Sequence, residues 1–321
     1  MKDCKILLVG VGGLGSEILK CLLFSGFRKI DIVDNDVVEI SNLARQIFYR
    51  ECDVGEPKAI VMAKNIQELF KYDKELKITP FKGEIEDLIT NSTININKYE
   101  FILSGLDNIQ GRRVLNAVLF QNAKLKHETG DEKTQIFIES GTEGLNGHTR
   151  VIIPNFTSCY ECTLNLNTEE MNFPLCEIKE FPRTSLHCIA YAIFVYEQQI
   201  EDEADLSKNG GNVENKMEKL SKIYNIALNH ANFFGIKGVT FDLTERVVGS
   251  VVPTPLSTNT IVASYVVSKI MNIISSPTNN CCKDVYTSDD FTNYFLYYGE
   301  SGIYCSSAKL EKEKNCVFCS I

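Results

Sequence analysis

The stretch KILLVGVGGLGSEILKCLLFSG, residues 5–26, narrows what this chain can fold into more than any other. KILLVG (5–10) is an apolar run of strand length. LGSEILKCLLFSG (14–26) repeats its apolar residues at helical spacing and stops on a glycine. Between them GVGGLG sets Gly10, Gly12, Gly13 and Gly15 in a G-x-G-x-x-G pattern. A strand that turns through such glycines straight into a helix can bring backbone close to a phosphate, and the helix N-terminus supplies the N–H donors. RKIDIVD (28–34) reads as the next strand. It ends on Asp34, 19 residues past Gly15, where a carboxylate can hold ribose hydroxyls. A nucleotide is the expected ligand, with a ligand-free tight turn as the plain alternative. The turn alone does not separate NAD from ATP, so an NAD-dependent oxidoreductase stays open here.

Strand and helix go on alternating. Helix spacing returns at 57–70, strands at 75–81 and 101–107, a helix at 109–120, and further strands at 136–140 and 148–154. This predicts an α/β fold with a doubly wound, mostly parallel sheet. From about residue 168 the pattern turns irregular and helix-rich. The polar stretch 201–220 reads as a mobile loop. From about 247 the pattern resumes: a strand near RVVGSVVP (246–253), a helix over 257–274 and aromatic strands within 291–299. The expected organisation is a first part at 1–167, an inserted domain at 168–246 and a second part at 247–321.

The 321 residues carry a net charge of −9 without a basic stretch, which argues against a nucleic-acid partner. The start is too short for an export signal, and the longest apolar run, 261–274, contains Lys269 and is too short to span a membrane. The expectation is a cytoplasmic or nuclear protein with free thiols, no membrane contact, and CxxC pairs that serve metal or redox chemistry. There are two such pairs, Cys159/Cys162 and Cys316/Cys319. Together they can complete a tetrahedral zinc site. Four unrelated buried thiols are the alternative.

Charged residues follow the glycine turn in order. Arg45 lies in DNDVVEISNLARQ (34–46), Lys58 in GEPKA (55–59) and Asp107 in SGLDN (104–108). Each alone is an ordinary loop residue. Cations beside the phosphates and a carboxylate able to hold Mg²⁺ suit nucleotidyl transfer better than hydride transfer.

These elements, G-x-G-G-x-G, D-x-D, N-L-x-R-Q, G-x-x-K-A and L-D-N, resemble in sequence order those of the ubiquitin-activating superfamily, which includes the bacterial molybdopterin and thiamine adenylyltransferases. The resemblance implies a Rossmann-like ThiF-type adenylation domain. It implies that Asp34 and Asp36 form the D-x-D element with Asp34 on the ribose, that Asn42, Arg45, Gln46 and Lys58 surround the ATP phosphates, and that Asp107 holds Mg²⁺. It also implies zinc on the four paired cysteines. NFPLC (172–176), with PR at 182–183 and HC at 187–188, resembles the catalytic-cysteine segment of enzymes that activate ubiquitin-like modifiers. GTEG (141–144), RVIIP (150–154) and IKGVTF (236–241) resemble the neddylation branch most.

On this resemblance Cys176 is the thioester-forming nucleophile, and 168–246 is a catalytic-cysteine domain. Glu177 stands where the family has threonine. A carboxylate there raises the neighbouring thiol pKa. The implied partners are an inactive homologous subunit in a heterodimer, a modifier of Nedd type and a conjugating enzyme. Arg150 is expected beside the modifier's tail as a selector. The sequence ends two residues after Cys319, and the C-terminal ubiquitin-fold domain that the resemblance implies is expected to be either removed or absent. Activation of SUMO or ubiquitin, or of a sulfur carrier, are the neighbouring alternatives.

Overall fold

The computed structural model describes residues 1–129, 134–167, 182–206, 216–248, 254–275, 291–300 and 302–319. They fall into two compact units, Met1–Leu166 with Thr254–Ile321, and Asn167–Pro253.

The first unit is built on one eight-stranded sheet of order β3-β2-β1-β4-β5-β6-β7-β8. Its strands are β1 (Lys5–Val9), β2 (Lys29–Asp34), β3 (Lys77–Lys82), β4 (Phe101–Ser104), β5 (Ile136–Glu143), β6 (Asn146–Ile152), β7 (Tyr294–Tyr298) and β8 (Tyr304–Ala308). From β3 to β5 all neighbours are parallel, and from β5 to β8 all are antiparallel. The helices are α1 (Gly13–Phe24), α2 (Lys58–Leu69), α3 (Ile85–Thr90), α4 (Ile109–Thr129) and, after the second unit, α8 (Leu256–Ile274).

Strand alternation sorts the core. Ile6 and Leu8 of β1 face a cluster holding Ile18 and Leu22 of α1, Met62 and Ile66 of α2, and Val262 and Val266 of α8. Leu7 and Val9 point the other way, to Leu115 and Leu119 of α4 and on to Cys159, Cys316 and Cys319. Such runs, apolar on both faces, mark the buried strands of a parallel sheet. The order β3-β2-β1-β4 reverses direction at β1. A crevice for ligands opens at such a switch point, outside the carboxyl ends of the strands.

The second unit packs α5 (Ser185–Leu206), α6 (Lys216–Phe233) and α7 (Phe241–Val248). Its core sets Cys188, Ile189, Ala192 and Tyr196 against Ile223, Ala227 and Ala231, at helical spacing.

Three expectations change. The polar stretch 201–220 is helical at both ends, in 201–206 and 216–220, because glutamate, lysine and leucine are good helix formers, while the rest of the expected loop, 207–215, lies outside the described residues. The strand expected from 246 is helix through Val248. Thr240 Oγ1 caps the Leu243 N–H at 3.1 Å, and Arg246 pairs with Asp242 one turn back, which overrides the β preference of the two valines. Strand β8 was not anticipated: YCSSA lacks apolar alternation, and all five residues are exposed on the sheet edge.

Candidate functional site

The crevice begins at the turn between β1 and α1. Gly10 has φ +87°, and a Cβ there would lie 2.8 Å from the Gly105 carbonyl oxygen. A Cβ on Gly15 would sit 1.9 Å from the Gly10 oxygen. Both positions exclude a side chain, so backbone alone forms this wall. The N-cap of α1 is Gly12, without a side-chain cap, so the first N–H groups of the helix keep their capacity to donate. Around Gly12 nothing lies within 4 Å of a Cβ position.

Asp34, at the end of β2, accepts N–H bonds from Val11 at 2.7 Å and Asp36 at 2.8 Å. Burial raises its carboxyl above the ordinary range, against those N–H groups and Lys58, which lower it. Lys58 Nζ meets Asp36 at 2.8 Å, and the Lys58 N–H donates to the Asp36 carbonyl. Asn42 is turned inward in the short helical turn Ile40–Ala44, where its Oδ1 accepts from the Glu39 N–H at 2.9 Å. Arg45 is half-buried with its Nε beside Gly13, and its guanidinium has no ion-pair or hydrogen-bond partner among the described residues. Gln46 is 2% exposed, and its Oε1 is buried without a partner there. Asp107, past the end of β4, is exposed, and its carboxylate is likewise unpartnered. A bare guanidinium at the positive end of a helix is unfavourable unless an anion joins it. The set therefore fits a nucleotide triphosphate with its cation.

Sequence reading missed a further wall. Asn259, in the first turn of α8, accepts from Thr142 Oγ1 at 2.7 Å and sets its Nδ2 3.0 Å from a Cβ position on Gly13. Thr260 Oγ1 donates to the buried Glu17 of α1 at 2.6 Å. These ties join α8 to the glycine turn across some 240 residues of chain. No motif flags them.

A buried charge cluster lies behind the crevice. Glu139 on β5 is fully buried and pairs with Arg112 at 2.7 Å, Arg150 at 2.5 Å and His148 at 3.3 Å. Burial would raise its pKa, but the Arg112 and Arg150 guanidinium groups and the contact with His148 hold its carboxyl well below the usual range. Burial keeps His148 neutral at physiological pH, although Glu139 favours its charge. Arg150, expected as a cation facing a ligand tail, is 2% exposed. It stacks on Tyr160 and Tyr294 and donates to the Thr163 carbonyl at 3.3 Å.

The four paired cysteines come together. Sγ–Sγ distances are 3.4 Å for Cys159–Cys316, 3.2 Å for Cys162–Cys319 and 3.7 Å for Cys159–Cys162, and all four sulfurs lie within 4.8 Å of one another. Tetrahedral zinc with Zn–S bonds of about 2.3 Å needs sulfurs about 3.8 Å apart, and these separations lie close enough to that value for the set to fit. The Glu313 N–H donates to Cys162 Sγ at 3.4 Å, the kind of bond that stabilises a metal thiolate. Burial pushes the Cys159 and Cys319 thiols up, Cys319 to about 12. At Cys316 burial also pushes up, but N–H donors from Cys319 and Phe318 outweigh it and bring the thiol down to about 7. Cys176 and Glu177 lie outside the described residues.

The profile of the ThiF family matches residues 1–318. The chain belongs to the ThiF family. A ThiF relative from Arabidopsis thaliana, the NEDD8-activating enzyme E1 catalytic subunit, is 34% identical over 98% of this chain and 65% of its own length. The protein of the same name from Saccharomyces cerevisiae is 32% identical over 99% of this chain and 98% of its own. SUMO-activating enzyme subunit 2 of Dictyostelium discoideum is 33% identical, over only 61% of this chain and 27% of its own. The chain thus spans about two thirds of the Arabidopsis relative. Among solved structures, Escherichia coli MccB covers 99% of this chain and 65% of its own with a TM-score of 0.55 at 17% identity, a likeness of fold. The ThiF-type α/β fold expected from the motifs is the fold observed. Among the described residues no helix is long and apolar enough to cross a membrane.

Proposed function

We propose that this chain activates a ubiquitin-like modifier of the NEDD8 type at the expense of ATP. The observation that carries the reading is bonding capacity that nothing among the described residues answers: the Arg45 guanidinium, the buried Gln46 Oε1 and the exposed Asp107 carboxylate. The relatives named for NEDD8 activation support the choice of modifier.

In the first step the modifier's C-terminal carboxylate oxygen attacks the α-phosphorus of ATP, and pyrophosphate leaves. The glycine turn and the N-terminus of α1 receive phosphate oxygens. Arg45 and Lys58 offset their charge, with Asn42 and Gln46 beside them, and Asp34 holds the ribose. Mg²⁺, held by Asp107, would neutralise the charge that builds on the leaving pyrophosphate. In the second step the Cys176 thiolate attacks the acyl carbonyl, AMP leaves, and a thioester forms. The thioester then passes to a conjugating-enzyme cysteine. An inactive homologous subunit completes the assembly as a heterodimer, and 168–246 serves as the catalytic-cysteine domain. Zinc on Cys159, Cys162, Cys316 and Cys319 would tie the segment after β6 to the chain beyond β8.

Arg150 influences modifier choice from within the Glu139 cluster, since its own charge is already answered. Arg150→Gln should relax discrimination between NEDD8-type modifiers and ubiquitin; unchanged discrimination rejects the role.

The test is ATP–pyrophosphate exchange with a panel of modifiers, with and without candidate partner subunits. NEDD8-dependent exchange is expected. Cys176→Ala should keep exchange and lose the reductant-sensitive adduct. Turnover of NADH without exchange would replace this reading by an oxidoreductase.

A further inference from the structure

The loop between β4 and α4 carries Asp107, and the groups on either side of it are tied down. The Gly105 N–H donates to the Val9 carbonyl at 2.9 Å. Asn108 Oδ1 caps the Gly111 N–H at 2.7 Å. Among the described residues the Leu106 carbonyl is gripped by Arg112, through both Nε at 3.2 Å and Nη2. That carbonyl belongs to the peptide group leading into Asp107, so fixing its direction fixes the backbone from which the carboxylate projects. Arg112 is itself anchored, because its Nη1 pairs at 2.7 Å with Glu139, which is fully buried. A planar guanidinium can reach a carbonyl with two nitrogens and a carboxylate with the third; an ammonium cannot. Gly141 leaves room for the guanidinium: a Cβ there would sit 3.3 Å from Arg112 Nη2.

We propose that Arg112, braced by Glu139, is a positioning residue that aims the Asp107 carboxylate at the nucleotide-bound divalent cation. The proposal rests on the adenylation reading. It adds that the cation's affinity is set behind the loop, by a buried pair that never touches it. Groups that orient a metal ligand typically change metal affinity about 10- to 100-fold when removed.

The experiment is a Mn²⁺ titration of the full chain, followed by electron paramagnetic resonance, with a non-hydrolysable ATP analogue present. Arg112→Lys keeps a cation beside Glu139 and loses the double grip on Leu106. Its Mn²⁺ midpoint should rise about tenfold, with the melting temperature and the nucleotide affinity measured without metal both unchanged. Asp107→Ala sets the upper limit of the rise. Glu139→Gln should raise the midpoint too, and combining it with Arg112→Lys should add nothing, because both changes release one clamp. In exchange assays Arg112→Lys should shift the Mg²⁺ midpoint and leave KM for the modifier alone. A purely packing role would lower the melting temperature and leave the midpoint in place. A folded Arg112→Lys with a wild-type midpoint overturns the proposal. If the wild type binds no Mn²⁺–nucleotide, the adenylation reading fails and takes this proposal with it.

Discussion

The nucleotide crevice and the four-cysteine centre are both assembled from distant segments, yet they are finished differently. At the crevice, Arg45, Gln46 and Asp107 keep bonding capacity that nothing in the described residues uses. At the cysteine centre four sulfurs already lie within 4.8 Å, backed by an N–H donor from Glu313. A site whose occupant must come and go cannot answer its own charges, and that incompleteness costs stability. A site whose occupant stays can be closed, and the occupant's binding energy becomes folding energy. Changes at the first site should therefore move chemistry and spare the fold, and changes at the second should do the reverse.

The largest expected effect breaks the closed site. Cys316→Ser, or a strong chelator, should release about one zinc per chain and destabilise the first unit by more than about 5 kcal/mol. Metal analysis and chemical denaturation read this directly. A metal-free protein with an unchanged midpoint would remove the contrast. Next, Asp107→Ala should abolish pyrophosphate exchange while shifting stability by no more than about 0.5 kcal/mol, as expected for an exposed residue. Arg45→Gln should raise KM for ATP about 10- to 100-fold through a lost charge-assisted contact. Its melting temperature without ligand should hold or rise, because an unpaired cation leaves a helix N-terminus. A clear fall would mean that Arg45 serves the fold.

The smallest effect concerns the cluster between the two sites. The folded pKa values of His148 and Glu139 both lie below their unfolded ones. Below about pH 6.5 the unfolded chain binds the extra proton at histidine, and below about pH 4.3 at glutamate. Their stabilisation is full above those values and declines on acidification. His148→Gln should flatten urea midpoints measured between pH 7.5 and 5.5, and an unflattened profile would assign that slope to other groups.

This cluster also shows where sequence reading stops. The glycine turn, Asp34, the charged residues after it and the paired cysteines were legible because neighbouring residues spell them out. So was the sheet as far as β7, from apolar runs alternating with helical spacing and from the aromatic stretch within 291–299. Glu139 was not. In IFIES (136–140) it looks like the polar end of a strand, but β5 is an inner strand, with β4 on one side, β6 on the other and Arg112 of α4 against Glu139. Its partners Arg112 and Arg150 carry no motif for one another. Through them one carboxylate touches both regions: Arg112 grips the carbonyl before Asp107, and Arg150 donates to Thr163, next to Cys162. The valines at 247–248 misled because local β preference is weaker than a capped helical turn.

The packing of α8 on α1 has a consequence during synthesis. Ile18 and Leu22 of α1 are buried with Val262 and Val266 of α8, and Thr260 bonds to Glu17 from 243 residues away. At about 5–20 residues per second, the ribosome needs roughly 12 to 50 s to make the covering helix after the first one emerges. Throughout that interval the apolar face of α1 stays uncovered on a growing chain. The first unit is therefore a client for whatever shields nascent hydrophobic surface, and its yield should respond to translation speed between residues 24 and 256 more than to speed anywhere else.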